Sequence, residues 1–262
     1  MNRFFLPEGA AVAKGDDVVI AGEDAHHIAR VLRLGPGERI VVVAAPEREA
    51  LAELTDVAAG RVRARVLAVR CARREPPVFV RLVQSVAKGE RMDYIVQKST
   101  ELGVGEIVPV VSERSVVRLD RARGEERAQR WQKIAREAAQ QSGRTVVPRV
   151  LPPVPFAAAL PARPAAGELA LILYEGESGR GLQAVLASSQ ATVSGAVTIY
   201  VGPEGGFADG EVAAAASAGC VPVSLGPRIL RAETAGPAAL AMILYHLGDL
   251  GRAVPSAGPW EE

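Results

Sequence analysis

The chain has 262 residues and a mass of 27.5 kDa, with 48% hydrophobic and 23% charged side chains. This is the composition of an ordinary globular protein, and it excludes a disordered or fibrous one. No apolar run approaches the ~20 residues that a membrane-spanning helix needs, and the first residues do not fit a signal peptide. The two cysteines and three histidines match no metal-binding spacing. We therefore expect a soluble, cytoplasmic protein without a metal site.

The charge is unevenly distributed along the chain, although the net charge is only +1. Residues 76–150 carry 14 basic and 9 acidic side chains, a net charge of +5, whereas residues 151–262 carry 5 and 10, a net charge of −5. Most of the basic residues are arginines, whose planar guanidinium suits phosphate groups and base edges; a GC-rich genome would produce the same bias. The basic middle of the chain makes a polyanion a candidate partner.

The first 74 residues predict a small β-rich domain. Apolar runs predict strands at Asp17–Ile20 and Arg39–Val43, and the alternation of apolar residues with arginines predicts a half-exposed strand at Arg61–Val66. Between them Asp24 is placed to cap one short helix. The apolar stripe of that helix is Ile28, Val31 and Leu32.

A change of pattern marks the start of a second domain. Arg70–Pro77 combines charge with two prolines and predicts a linker. Continuous apolar runs then predict strands at Val78–Val86, Ile107–Val111, Leu169–Tyr174, Val197–Val201 and Val221–Leu225. Helical stripes lie between them, at Met92–Leu102 and Ala128–Ala138, and a last helix runs from about Pro237 to Leu247. This alternation predicts an α/β domain over residues 75–252, with a parallel sheet covered on both faces. Residues 151–168 are expected to form a surface connection, and residues 253–262 a loose tail.

Two unusual loops follow predicted strands, at the position where open parallel sheets bind ligands. Gly202–Phe207 (GPEGGF) holds three glycines, which expose backbone N–H groups and allow a ligand to approach closely. A tight strand-to-helix turn would need the same glycines. Residues 225–235 (LGPRILRAETA) precede the last helix, which Thr234 is placed to cap. Helix capping beside a solvated Arg–Glu pair is the alternative for this loop. A third segment, Gly179–Ala184, mimics a dinucleotide fingerprint, but we interpret it as a flexible turn.

Together these two loops closely resemble the RsmE family, bacterial methyltransferases of the SPOUT superfamily that modify N3 of a uridine in 16S rRNA. The resemblance covers nearly the whole chain. Its further motifs are Asn2–Phe5, His26–Arg33, Lys88–Met92, Gln97–Gly103, Ser112–Ser115, Trp131–Ile134 and Gln141–Arg144. Two positions depart from the family pattern: Gln140, where Glu is usual, and Ala208–Asp209, where a Ser more often begins the helix.

The resemblance implies a SPOUT-type α/β fold with a C-terminal trefoil knot, joined to a small PUA-like N-terminal RNA-binding domain. It also implies S-adenosyl-L-methionine as the cofactor and a homodimer that completes the site. The cofactor-binding residues that it implies are Leu173, Gly202, Pro203, Glu204, Gly205, Gly206, Leu225, Gly226, Ile229, Leu230, Arg231 and Thr234. The last helix is apolar nearly all round and must bury that surface somewhere; the interior of the chain could do so, but the resemblance favours a symmetric dimer interface.

Methylation of uridine N3 requires the loss of a weakly acidic proton, for which a carboxylate is a suitable base. Glu233 is the candidate base, although a structural pair with an arginine is its alternative role; Arg231 is the candidate to stabilise charge on the uracil oxygens. For the 16S rRNA of the small ribosomal subunit, the candidate binding residues are Arg3, Arg30, Arg33, Lys88, Arg114 and Arg144. A solvated helix face is the alternative for Arg30 and Arg33.

Two other functions stay open from the sequence. One is another SPOUT RNA methyltransferase, such as a 2′-O-ribose methyltransferase of tRNA or rRNA; the loop at residues 225–235 and the N-terminal domain argue against it. The other is a non-catalytic ribosome-assembly RNA-binding protein, for which eroded glycine loops would be expected. Both glycine-containing loops are intact.

Overall fold

The structure, a computed structural model, describes residues 1–7, 9–45, 47–116, 121–189, 195–253 and 260. The chain divides into two compact units. The small unit comprises Met1–Glu75, Ala139–Val146 and Ala253–Glu262, and the large unit comprises Pro76–Ala138 and Val147–Arg252. Nothing in the sequence pattern indicates that residues 139–146 belong with the N-terminal residues. Most of the predicted tail lies outside the described residues.

Five strands form the sheet of the small unit. They are β1 (Arg3–Phe5), β2 (Asp17–Ala21), β3 (Arg39–Ala45), β4 (Arg48–Ala58) and β5 (Arg61–Cys71). Their order is β1-β3-β4-β5-β2, with β1 parallel to β3 and the other pairs antiparallel. Along β5 the side chains of Val62, Ala64 and Val66 are buried, while the arginines between them face solvent. The predicted half-exposed strand is therefore confirmed.

Apart from the three-residue β1, which was not predicted, two features of this sheet differ from the sequence prediction. The sequence pattern does not predict β4, because register shifts at Leu51/Ala52 and at Leu54/Asp56 interrupt its alternation; such irregularities break the period of two on which the prediction depends. In addition, β5 continues to Cys71, so the predicted linker at Arg70–Pro77 begins inside a strand.

The short helix of the small unit also corrects the prediction. It comprises α1 (Gly22–His26) followed by a wider turn at His27–Val31, in which the Leu32 N–H donates to the His27 carbonyl at 2.9 Å. Ala21 rather than Asp24 precedes the first turn, and no side chain caps it. The wider turn changes the angular spacing of the residues that follow, and Val31 is 62% exposed instead of lying in the core.

Seven strands form an all-parallel sheet in the large unit. They are β6 (Phe79–Ser85), β7 (Glu106–Val111), β8 (Arg149–Val150), β9 (Val154–Pro155), β10 (Leu169–Leu173), β11 (Ala196–Val201) and β12 (Val221–Val223). The order is β12-β10-β11-β6-β7-β8, and β9 also pairs with β7. All five strands predicted for this region are present and parallel. β8 and β9 have two residues each, too few to show a periodic pattern.

Both faces of this sheet are buried. Along β11, Val197, Ile199 and Val201 belong to one hydrophobic cluster, while Tyr200 belongs to the other. Burial on both sides explains why the strands are apolar without alternation. The predicted α/β fold with a parallel sheet is confirmed, and the trefoil knot stays a prediction.

The helices are α2 (Arg91–Leu102), α3 (Arg121–Ser142), α4 (Leu182–Ser189), α5 (Asp209–Ser217) and α6 (Ala232–His246), with a 3₁₀ turn at Phe156–Ala159. Gly103, with a φ of 108°, ends α2. α6 begins five residues before the predicted start at Pro237, so the proline lies inside the helix and cannot donate a hydrogen bond to the Glu233 carbonyl. Phe156 is buried, so the predicted surface connection at 151–168 also contributes to the core. Within the described residues, none of the helices combines the length and the apolar character needed to span a lipid bilayer.

Candidate active site

A cleft of about 1040 Å³ opens in the large unit at the carboxyl ends of neighbouring strands. Because β12, β10 and β11 are adjacent and parallel, the loops that follow them converge at one edge of the sheet, as expected for a ligand site. The predicted cofactor-binding residues that line the cleft are Leu173, Gly202, Pro203, Glu204, Gly206, Leu225, Gly226, Ile229, Leu230 and Arg231.

The loop after β11 is folded tightly around its glycines. The Gly206 N–H donates to the Pro203 carbonyl at 2.9 Å, and Gly206 has a φ of 67°, a conformation that favours glycine. A Cβ added at Gly202 would lie 3.0 Å from the Phe207 nitrogen and 3.1 Å from the Gly206 carbonyl carbon. A side chain at Gly202 would therefore crowd the backbone of the loop, while the φ of Gly206 favours glycine at the turn.

Gly205 differs from its two neighbouring glycines. Its φ is not positive, and it is absent from the described residues that line the cleft. Its carbonyl accepts a hydrogen bond from Arg114 Nη1 at 3.1 Å. A side chain at Gly205 would therefore meet no strain from a positive φ, whereas one at Gly206 would. A role for Gly205 in cofactor binding stays a prediction.

The start of α5 compensates for the missing serine. Ala208 occupies the capping position and has no side-chain acceptor. Glu211 accepts the Ala208 N–H at 3.0 Å through Oε2 and the Glu113 N–H at 2.9 Å through Oε1. One carboxylate therefore satisfies the helix start and also ties it to the loop after β7.

Glu204 holds the segment that follows β6. Its Oε1 accepts the Lys88 N–H at 3.1 Å and Arg91 Nη1 at 2.7 Å. Burial alone would raise the pKa of Glu204, but hydrogen bonds from backbone N–H groups and from Arg91 outweigh it and lower the pKa. The carboxylate is thus ionised at neutral pH and joins two loops at the cleft.

The loop after β12 forms the opposite wall. The Ser224 N–H donates to the Arg180 carbonyl at 2.9 Å, and the Leu182 N–H donates to the Ser224 carbonyl at 3.0 Å. These bonds attach this loop to the segment before α4, in which the Gly179 and Arg180 N–H groups donate to the Glu177 carboxylate. The interpretation of Gly179–Ala184 as a turn therefore holds for Gly179 and Arg180, whereas Gly181 pairs with Ser224 and residues 182–184 belong to the first turn of α4.

The prediction that Thr234 caps α6 is wrong. Arg231, with extended backbone, precedes the first turn, and no side chain caps it. Thr234 is already inside the helix, is exposed, and is absent from the described lining of the cleft. The helix starts earlier than its apolar pattern indicates, which moves Thr234 from the cap into the first turn.

Glu233 lies in the first turn of α6 and lines the cleft. Its Oε1 is 3.7 Å from Arg91 Nε, and its side chain is 17% exposed. Its Oε2 is buried and has no hydrogen-bond partner among the described residues. Arg231 is exposed at the edge of the same cleft. The two candidate catalytic residues therefore lie together with the predicted cofactor-binding loops.

The candidate RNA-binding residues divide into two groups. Arg30 and Arg33 in the small unit, and Lys88 and Arg114 in the large unit, have exposed side chains; Arg114 also lines the cleft.

The other two candidates lie in buried ion pairs of the small unit. Arg3 pairs with the buried carboxylate of Glu49 and is 12% exposed. Arg144 is 5% exposed and its Nε donates to Glu75 at 3.0 Å. Burial gives these two guanidinium groups a structural role, which argues against their prediction as RNA contacts.

Sequence reasoning missed several polar residues of the cleft. Arg91 lies in the recognised Lys88–Met92 motif, which could have identified it. Tyr174 directly follows β10, and its hydroxyl donates to Asp209 at 3.0 Å. That hydrogen bond, with the negative charge of Asp209, raises the pKa of Tyr174. No local pattern indicates this pair, because its members come from different loops.

Within the described residues, no group of three or more His, Cys, Asp or Glu side chains is arranged to hold a metal ion.

Known families and proteins match both units. A family model described as an RNA methyltransferase domain matches residues 74–244, and one described as an RNA methyltransferase PUA domain matches residues 20–67. The chain is 35% identical over 248 residues to the ribosomal RNA small subunit methyltransferase E of Bacillus subtilis. The aligned region covers 94% of this chain and 96% of that protein.

Two solved structures are similar over almost the full length. The ribosomal RNA small subunit methyltransferase E of Neisseria gonorrhoeae, bound to S-adenosyl methionine, has a TM-score of 0.84 and 37% identity over 95% of this chain and 99% of that one. A putative methyltransferase of Legionella pneumophila, in complex with the same cofactor, has a TM-score of 0.82 and 32% identity over 93% and 96% of the two chains.

Proposed function

The chain belongs to the ribosomal RNA small subunit methyltransferase E family, and on that premise we propose that it methylates N3 of a uridine in 16S rRNA, with S-adenosylmethionine as the methyl donor. The observation that carries the proposal is the cleft at the carboxyl ends of β10, β11 and β12. It unites the two glycine-containing loops with Glu233, in a chain whose relatives bind this cofactor.

The cleft suits S-adenosylmethionine in size and chemistry. Leu173, Leu225 and Leu230, which are half-buried, supply apolar surface along the cleft, as ligand sites usually require. Gly226 has a φ of 118°, and an added Cβ there would meet no atom within 4 Å, so open space lies beside its backbone. The bound cofactor supplies a methyl group whose bond to sulfur breaks, with the electron pair going to sulfur, as the bond to N3 forms.

Glu233 takes the proton that leaves N3. Its side chain lines the cleft, and its 3.7 Å contact with Arg91 is longer than a hydrogen bond, so the carboxylate keeps acceptor capacity for the N3 proton. A positioned base of this kind contributes about 10²–10⁴-fold to the rate. The exposed Arg231 stabilises the negative charge that develops on the uracil oxygens.

Residues 1–74 serve as the RNA-binding domain in this proposal, and residues 75–252 as the methyltransferase domain. The PUA match at residues 20–67 supports the first assignment. Arg30 and Arg33 in the small unit, and Lys88 and Arg114 in the large unit, present exposed cations for rRNA phosphates. A protein with this substrate acts in the cytoplasm, where small ribosomal subunits are assembled.

A homodimer completes the proposal. One face of α6 packs inside the large unit, but Met242 and Tyr245 on the same helix are 39% and 70% exposed. Ile229 in the cleft loop is 83% exposed. Apolar side chains exposed in this way are suited to a symmetric interface. Sedimentation should give a dimer at micromolar concentration, and Tyr245→Asp should shift it towards monomer; a monomeric wild-type protein would contradict this part.

The function is tested with purified protein, methyl-labelled S-adenosylmethionine and small ribosomal subunits from a strain that lacks this gene. Mass mapping should locate one new 3-methyluridine in 16S rRNA. Glu233→Gln should lower the rate about 10²–10⁴-fold while cofactor binding persists. Glu101→Gln is the control, because Glu101 pairs with Lys98 on α2 and is absent from the described lining of the cleft.

Two results would contradict the proposal. Label on a ribose 2′-oxygen, or on tRNA, would indicate a different RNA methyltransferase. Cofactor binding without transfer to rRNA would indicate a non-catalytic RNA-binding protein.

A further inference from the structure

One guanidinium lies between two of the carboxylates that line the cleft, those of Glu204 and Glu233. Arg91 Nη1 is 2.7 Å from Glu204 Oε1, and Arg91 Nε is 3.7 Å from Glu233 Oε1. Arg91 is the first residue of α2, Glu204 belongs to the loop after β11, and Glu233 lies in the first turn of α6. A single side chain therefore joins the GPEGGF loop to the candidate base.

The two contacts of Arg91 differ in kind. The contact with Glu204 is a short hydrogen bond, and Glu204 is also held by the Lys88 N–H at 3.1 Å. The contact with Glu233 is within ion-pair distance but longer than a hydrogen bond. Glu204 thus anchors the guanidinium, whose second edge orients Glu233 through Oε1. Oε2 of Glu233 is left without a partner among the described residues.

From this geometry we propose that Arg91 is a positioning residue for the methyl transfer, which fixes the orientation of the Glu233 carboxylate at the cleft through Oε1. The inference rests on the proposed function. The planar fork of arginine spans two carboxylates in fixed directions, which the single ammonium of lysine cannot do. The GPEGGF loop, through Glu204, therefore sets the orientation of the base on α6.

The test compares Arg91→Ala with a matched control. Arg81 is 40% exposed, against 43% for Arg91, and also pairs with a glutamate, Glu106, at 2.6 Å. It lies near the amino end of β6, and the cleft is at the opposite end of the sheet. Arg91→Ala should lower kcat about 10–100-fold, a part of what a positioned base contributes, with little change in the KM for S-adenosylmethionine. Arg81→Gln should retain the wild-type kcat.

Three further readouts separate positioning from structural support. Added guanidinium ions should restore part of the kcat of Arg91→Ala, and Arg91→Lys should recover less than full activity. In a Glu233→Gln background, Arg91→Ala should cause no further loss, because residues that act as one unit are non-additive. If the Tm of Arg91→Ala lies well below that of Arg81→Gln, Arg91→Lys replaces Arg91→Ala in the double-mutant comparison with Glu233→Gln.

Additive losses in kcat, or a loss confined to cofactor affinity, would overturn the role of Arg91 and leave the proposed function intact. Failure of the wild-type protein to methylate N3 would instead remove the proposed function itself.

Discussion

Replacement of Glu49 by Gln should destabilise the small unit by about 3–5 kcal/mol, the usual cost of breaking a buried ion pair. The Glu49 carboxylate is 0% exposed and receives Arg3, Arg70 and Arg74. Arg70 Nη2 lies at 2.7 Å and Arg74 Nε at 3.3 Å. Glutamine keeps the shape but removes the charge and turns an N–H₂ group towards the guanidinium groups. Three partly buried cations would then lack their common anion.

The effect should depend on pH with a definite sign. Burial alone would raise the pKa of Glu49, but the hydrogen bonds from Arg3 and Arg70 outweigh it and lower the pKa. A group whose folded pKa is depressed stabilises the protein above its unfolded pKa, about 4.3 for glutamate. That contribution is lost as the pH falls through the lower, folded value. The difference between wild type and Glu49→Gln should therefore be largest at neutral pH and shrink on acidification.

Urea unfolding of the full chain, followed by hydrogen exchange of peptides from β4 and β5, measures the small unit by itself. With a slope of about 1 kcal/mol/M, the predicted loss lowers the midpoint by about 3 M or more. Glu53→Gln is the matched control on the same strand, because Glu53 is 39% exposed and lies 3.7 Å from Arg39. It should cost less than about 1 kcal/mol. Equal losses in the two variants would refute the reasoning.

Three further predictions follow from the exposed and close-packed positions. Gly202→Val should weaken S-adenosylmethionine binding at least tenfold, about 1.4 kcal/mol, because its Cβ would lie within 3.0–3.3 Å of backbone atoms; calorimetry showing normal affinity would contradict this. Arg30→Ala with Arg33→Ala should weaken rRNA binding and flatten its log–log salt dependence by roughly one unit per lost phosphate contact, without a change in cofactor affinity. An unaltered salt dependence would show that the helix carrying Arg30 and Arg33 does not contact the RNA backbone. At neutral pH Cys71, which is exposed, should react with a thiol reagent while Cys220 resists, because burial raises the pKa of the Cys220 thiol to about 11; equal rates in the native protein would contradict this.

Features that depend on residue spacing were predictable. The continuous apolar runs of β6, β10 and β11 indicate strands buried on both faces, and a parallel sheet places their carboxyl ends together. The loop that follows β11 contains Gly202 and Gly206, where close packing or backbone conformation favours glycine. The location of the cleft and most of its lining therefore follow from local patterns, while the family resemblance supplies the cofactor and the substrate.

Helix starts and short strands were less predictable, because packing rather than local preference decides them. Thr234 is a residue type that favours the N-cap position of a helix, yet α6 begins before it. β4 lacks regular alternation because its pairing with β5 shifts register. Val31 would face the core in a regular helix, but the wider turn leaves it exposed.

The sequence by itself determined the order of the longer strands and helices of the large unit, the two loops of the cleft and the family, since each depends on neighbouring residues. Only the tertiary structure decided what the charged side chains do. Arg144 has the same charge as Arg30, but Arg144 is buried against Glu75 while Arg30 faces solvent. Arg91 meets Glu204 across 113 residues of chain. Ionic contacts act over a few ångströms in space and carry no period along the chain, so the fold must bring the partners together before their roles can be identified.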